Sequence, residues 1–156
     1  MNYAQIRPFD VANGEGIRVT IFLTGCNFNC KGCFNKEYQD FNHGKVWKEE
    51  TTREVITYLK NENTVGLTLL GGEPMEHAKE LLPIIKEIRT YMREEQDIWI
   101  YSGYTLEQIK RDKEKLDLLL ECDIIVDGLY KEELKDLTLR FRGSSNQRII
   151  NIKEGI

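Results

Sequence analysis

Short apolar runs alternate along the chain with longer stretches in which apolar side chains recur every three or four positions. The short runs are Ile17 to Thr24, Val65 to Leu70, Ile98 to Tyr101, Asp123 to Val126 and Arg148 to Ile152. They are rich in β-branched and aromatic residues and are expected to be strands. Between them, residues Ala78 to Met92 place Leu81, Ile84, Ile85, Ile88, Tyr91 and Met92 on one helical stripe. A second helix is expected where Thr51 or Thr52 can cap a face of Val55, Ile56 and Leu59. A third is expected where Thr105 and Gln108 can form a capping box. Strand, helix, strand at this spacing implies right-handed crossovers and a mostly parallel α/β sheet. Such sheets carry their chemistry at the carboxyl ends of the strands. Four motifs fall there: a cysteine segment, Gly71 to Pro74, Ser102-Gly103 and Asp127-Gly128.

At 156 residues, with no repeat, no low-complexity segment and no Pro/Gly/Ser-rich linker, a single domain over residues 1–156 is expected. Apolar residues at 40% and charged residues at 31% suit a packed globule and argue against extended disorder. A net charge of -4 gives no basic field to neutralise phosphates, so nucleic acid is not an expected partner. The opening MNYAQIRPFD lacks the features of a signal peptide, and no apolar run approaches the roughly 18 residues of a membrane span. A cytoplasmic protein without membrane contact is expected. The runs Lys48-Glu49-Glu50, Arg93-Glu94-Glu95 and Lys110 to Lys115 read as solvated helix faces.

The cysteines carry the most chemistry. Cys26, Cys30 and Cys33 lie in the segment Gly25-Cys26-Asn27-Phe28-Asn29-Cys30-Lys31-Gly32-Cys33-Phe34, close enough to converge on one metal centre. The fourth cysteine, Cys122, stands far away in an apolar context and is expected to point into packing. A four-iron, four-sulfur cluster held by these three thiolates would keep one iron free of cysteine, and an open coordination position is where a metal does chemistry. The alternative is a zinc site of three cysteines and His43. Gly71-Gly72-Glu73-Pro74 ends a strand with two residues lacking side chains. There a ligand can approach the backbone, and Glu73 can meet an ammonium group.

CxxxCxxC after the first strand with GGEP after the second resembles the radical S-adenosylmethionine superfamily. More closely, the chain resembles the family of activating proteins of anaerobic ribonucleoside-triphosphate reductases. The match includes Asn13-Gly14-Glu15-Gly16-Ile17-Arg18, Gly32-Cys33-Phe34-Asn35, Val126-Asp127-Gly128 and Arg142-Gly143-Ser144-Ser145-Asn146-Gln147. The resemblance implies a partial (βα) barrel open on one side, a [4Fe-4S] cluster on Cys26, Cys30 and Cys33, and S-adenosyl-L-methionine on the open iron. It implies an activating enzyme: a 5'-deoxyadenosyl radical would take a hydrogen from a glycine on the large subunit of the reductase, leaving a glycyl radical. It also implies an electron-donor protein such as a flavodoxin.

Carried over by position, Gly32, Cys33 and Phe34 would lie against the adenosyl part and Gly71, Gly72, Glu73 and Pro74 against the methionine end. Ser102 and Asp127 would be polar groups on the same rim, or else strand-end caps. Many superfamily members carry an aromatic residue where this chain has Gly32, so Phe34 or Phe28 would take over that contact. The segment Arg142 to Arg148 is expected to be a loop that touches the cofactor or the partner, or a solvated turn, and Tyr38 and Trp47 to be partner contacts or local packing. Two other functions stay open: a radical enzyme acting on a small molecule, of the deazapurine synthase type, and a non-catalytic iron–sulfur or zinc module.

Overall fold

A computed structural model describes residues 1–155. The chain opens with β1 (Asn2–Asp10), which runs antiparallel to β2 (Arg18–Leu23), and the two-residue β3 (Lys45–Val46) pairs with the start of β1. It then passes through α1 (Glu49–Leu59) to β4 (Gly66–Gly71) and through α2 (Ala78–Tyr91) to β5 (Asp97–Ser102). Helices α3 (Leu106–Lys110) and α4 (Lys113–Leu119) lead to β6 (Ile124–Asp127). A long irregular segment precedes β7 (Arg148–Asn151) and α5 (Ile152–Gly155). The seven strands form one sheet in the order β3-β1-β2-β4-β5-β6-β7. The central β2-β4-β5-β6 pairings are parallel and both flanks are antiparallel.

The expected α/β class and parallel centre are present. The sheet is mixed and not closed, with antiparallel strands on both flanks of its parallel centre. Neighbouring parallel strands follow chain order, so successive crossovers of one hand step the same way and stack their helices on one face. Alternation along each strand then sends Ile21, Leu69, Ile100 and Ile125 into the core with Val55, Leu81, Ile85 and Ile109 of the helices. Among the described residues no helix is long and apolar enough to cross a membrane.

The other face of the sheet is partly polar. The Arg18 side chain, 1% exposed, donates to Thr68 Oγ1 at 2.8 Å, to the carbonyls of Glu15 and Leu67, and to the Asp97 carboxylate. Its guanidinium lies over the Trp99 ring, and burial lowers its pKa against the opposing pull of Asp97. Thr20 donates to Asp10, which also accepts from Asn13 and Ala12. This network straps the loop between β1 and β2 to the sheet. Farther along the same face, Tyr101 donates to the Phe141 carbonyl at 2.6 Å and Trp99 meets the Phe141 ring edge-on. The segment before β7 is thereby laid across the sheet.

Several expected details shift. The cap of α1 is Lys48, not a threonine; Thr51 sits at the third helical position and accepts the Lys48 N–H, while Thr52 accepts the Trp47 indole N–H. Trp47 also packs on Tyr3, and the Tyr38 hydroxyl accepts from Gln5, so both serve local packing. Arg93 is no solvated charge: it is half-buried and donates to the carbonyls of Leu59, Asn61 and Thr64. Tyr91, placed on the apolar stripe of α2, is exposed. Thr105 and Gln108 form the expected capping box at α3.

Arg18→Met would remove the donor from Thr68, from the carbonyls of Glu15, Leu67 and Asp97, and from the Asp97 carboxylate. It is expected to lower the free energy of unfolding by about 3 kcal/mol in urea titration. Arg18→Lys should recover little, because one ammonium cannot reach acceptors spread around a planar fork.

Candidate functional site

The cysteine loop starts where β2 ends and is held from both sides. Gly25 N–H donates to the Tyr38 carbonyl at 2.7 Å, Cys26 N–H to the Gln39 carbonyl, and the Gly25 carbonyl accepts from Glu73 N–H at 2.8 Å. Each cysteine follows a residue in the left-handed region: Gly25 (φ 102°) before Cys26, Asn29 (φ 51°) before Cys30, and Gly32 (φ 74°) before Cys33. Glycine and asparagine tolerate that conformation best. Gly32 therefore has a backbone reason to stand where an aromatic residue would be strained.

Cys26, Cys30 and Cys33 are half-buried free thiols lining one cavity of ≈ 610 Å³ at the carboxyl ends of β2, β4, β5 and β6. The volume is in the range of cofactor sites. Gly71, Gly72, Glu73, Ser102 and Phe34 share the lining. The glycines are there for the backbone. A Cβ on Gly71 (φ 116°) would stand 2.2 Å from the Leu23 carbonyl oxygen, and one on Gly72 would meet the Tyr38 and Gly25 carbonyls. Crowding by β2 and the cysteine loop leaves no room for a side chain at either position.

Glu73, 2% exposed, is already engaged: its carboxylate accepts from Met75 N–H, Ser102 Oγ–H at 2.8 Å and Gly103 N–H at 2.6 Å. Burial pushes its pKa up to about 7, against the pull of these three donors. Pro74 is buried and opens the turn before α2. Asp127 does not line the cavity; its carboxylate caps α3 through Leu106 N–H and takes a two-pronged ion pair from Arg148. It is the strand-end cap. Gly32 also lies outside the lining, and its Cβ would meet Glu132.

Burial pushes Cys26 up to about 11 and raises Cys30 too, so both are thiols at neutral pH until a metal displaces their protons. Among the described residues no three His, Cys, Asp or Glu side chains are gathered for a single metal ion. The three thiols share a cavity instead, which suits a group that offers each cysteine its own metal atom. His43 is exposed and absent from the lining, so it does not complete a zinc set. Cys122 is fully buried in the core among the helices. Two lining residues, Gln39 and Arg142, carry a buried N–H group without a partner, and wall groups of that kind suit a polar occupant. Nothing in the sequence marks Gln39; only the fold brings it to the cavity.

A family model described as a 4Fe-4S single cluster domain matches residues 12–150. The chain is 38% identical to the anaerobic ribonucleoside-triphosphate reductase-activating protein of Haemophilus influenzae, covering 98% of this chain and 99% of that one. It is 37% identical to the protein of the same name from Pasteurella multocida, over 96% of each, and 35% to that of Enterobacteria phage T4, over 100% and 97%. The chain belongs to the anaerobic ribonucleoside-triphosphate reductase-activating protein family. The iron–sulfur domain of this family spans the cysteine loop, the GGEP turn and the rim beyond β5 and β6.

Within this family member Glu73 gives a pH signature of its own. Its folded pKa of about 7 lies above the ordinary 4.5, so between these values the folded chain holds a proton that the unfolded chain has shed. Its contribution to stability is full below that window, falls as pH rises across it, and is constant above. In Glu73→Gln that part of the slope should vanish. At pH 7.5 the variant should lose ~1–3 kcal/mol in chemical denaturation, because its amide NH₂ must face one of three donors.

Proposed function

We propose that this chain is an activating enzyme of the radical S-adenosylmethionine type, a single domain over residues 1–156 that forms a glycyl radical on the large subunit of an anaerobic ribonucleoside-triphosphate reductase. Cys26, Cys30 and Cys33 would hold a [4Fe-4S] cluster. The observation that carries the reading is the division of the thiols: three line one cavity on the strand-end rim, and the fourth is sealed in the core. A cluster there has no fourth thiolate within the site, so one iron remains for the amino and carboxylate groups of S-adenosylmethionine. When bound, the pair supplies a 5'-deoxyadenosyl radical able to take a hydrogen from a backbone glycine.

The residues of the chain have supporting tasks. Gly71 and Gly72 present bare backbone to the cavity, beside the cysteines, where the methionine end would lie. Glu73 is occupied by three donors, so its part is to fix the rim and not to meet an ammonium group directly. Ser102, whose hydroxyl it holds, belongs to the same brace. Phe34 is 61% exposed and Leu137 81% exposed at the cavity, leaving an accessible, apolar approach for the glycine-bearing loop of a large partner. A cytoplasmic setting and a flavodoxin-like electron donor belong to the same proposal.

Anaerobic reconstitution with iron and sulfide, followed by low-temperature electron paramagnetic resonance, tests it. The reduced protein should give a cluster signal that changes when S-adenosylmethionine is added. Cys26→Ala, Cys30→Ala and Cys33→Ala should each abolish the signal, and Cys122→Ala should keep it. A signal indifferent to S-adenosylmethionine, or lost with Cys122, would defeat the proposal.

A further inference from the structure

Two phenylalanines flank the thiols of the cysteine loop, and each rests on a glycine. Phe28, between Cys26 and Cys30, sits on Gly103: a Cβ there would stand 2.8 Å from two atoms of its ring. Phe34, directly after Cys33, sits on Gly143, where a Cβ would stand 2.7 Å from its ring. Both distances are far inside ordinary carbon–carbon contact of about 3.5–4.0 Å. Neither glycine has a positive φ, so neither is demanded by its own backbone conformation. Space for an aromatic ring is the requirement that the structure shows at both positions.

A tyrosine next to each seat completes it. Phe28 meets Tyr104 edge-on with centroids 4.6 Å apart, and Phe34 meets Tyr130 at 4.9 Å. The first seat is anchored to the rim: Glu73 accepts the Gly103 N–H, and Glu76 accepts both the Tyr104 hydroxyl and the Asn27 side-chain amide, the latter at 2.9 Å. The second is anchored by the motif around Gly143. Gln147 Oε1 accepts the Gly143 and Ser144 N–H groups, Ser144 Oγ accepts Lys131 N–H, and Asn146 donates to the Leu129 carbonyl.

We infer that Gly103 and Gly143 are positioning residues for the metal-binding thiols. Phe28 on Gly103 sets Cys26 and Cys30, and Phe34 on Gly143 sets Cys33, before any cluster is present. The loop needs such seating because three left-handed residues in eight positions give it no regular structure to hold it. Besides lining the cavity, the segment Arg142 to Gln147 thus acts on the site through the cysteine loop, as the scaffold of one seat. The part concerning cluster retention rests on the function proposed above; the part concerning loop position does not.

Site-resolved alkylation of the full-length, metal-free chain, read by mass spectrometry, tests the seating directly. Gly103→Ala should speed labelling of Cys26 and Cys30 with Cys33 little changed, and Gly143→Ala should speed Cys33 alone. Trimming the ring should restore each, so Gly103→Ala with Phe28→Leu and Gly143→Ala with Phe34→Leu should return toward the native pattern. In the reconstituted protein each single variant should release iron to a chelator about 10-fold faster or more, as loss of supporting contacts to metal ligands does, with the same rescue. Unchanged labelling in both alanine variants, a uniform rise at all three thiols, or failure of the trimmed rings to rescue would overturn the inference. Native chain that takes up no iron, yet shows the expected labelling pattern, would overturn the function and leave the seating intact.

Discussion

One buried carboxylate joins the three parts of the rim. Glu73 stands at the exit of β4, takes the Gly103 N–H and the Ser102 hydroxyl from the exit of β5, and through its own N–H holds the Gly25 carbonyl at the start of the cysteine loop. Three strand ends that would otherwise be connected only through the sheet are therefore fixed at the level of their loops. All three donors point at the carboxylate, and two are backbone groups that cannot reverse roles. Burial works against the charge and hydrogen bonding works for it, so small changes around Glu73 reach the cavity wall from two directions.

The face of the sheet without helices makes this rim possible. A parallel sheet buried on both sides reads as apolar throughout, yet here Arg18, Thr20 and Thr68 lie beneath irregular chain. Arg18 and Thr68 donate to the Glu15 and Asn13 carbonyls of the loop before β2, which has no strand to pair with, and Thr20 donates to Asp10 where that loop begins. Tyr101 and Trp99 perform the same service for the segment before β7 at Phe141, whose φ of 62° is unusual for an aromatic residue. Loops laid on polar strands form the walls of a cavity where a helix would have filled it.

How much of this the sequence disclosed follows from what each residue depends on. The four parallel strands and α2 were legible because apolar periodicity is a local property, and their observed ends lie within a residue or so of those expected. Strand β1 was not: Asn2–Asp10 mixes polar and apolar residues and contains Pro8, and it is a strand because β2 supplies a partner. Pro8 is tolerated because β3 pairs only with Asn2 and Tyr3, leaving the outer edge of β1 free beyond them. Helix α4 was hidden inside a charge run whose buried residues, Leu118 and Leu119, come at its end. The cysteines could be read as a set from spacing, but whether Asp127 faces the cavity or caps α3 depends on Arg148 and Leu106, which only the fold brings to it.

The glycines show the same limit most sharply. In sequence a glycine beside a motif suggests close approach of a ligand, and Gly71 and Gly72 invite that reading. In the folded chain β2 and the cysteine loop also press on them, a demand invisible in the sequence. Gly32 serves backbone conformation, Gly103 and Gly143 serve aromatic rings, and Gly25 serves both, its Cβ being excluded by the Phe41 ring. Three different physical demands therefore produce one residue type within one site, and they converge on a single outcome. A loop with three left-handed residues in eight positions, which would be floppy in isolation, has its thiols held against one cavity by contacts to Tyr38, Gln39, Glu73, Gly103 and Gly143 beyond it.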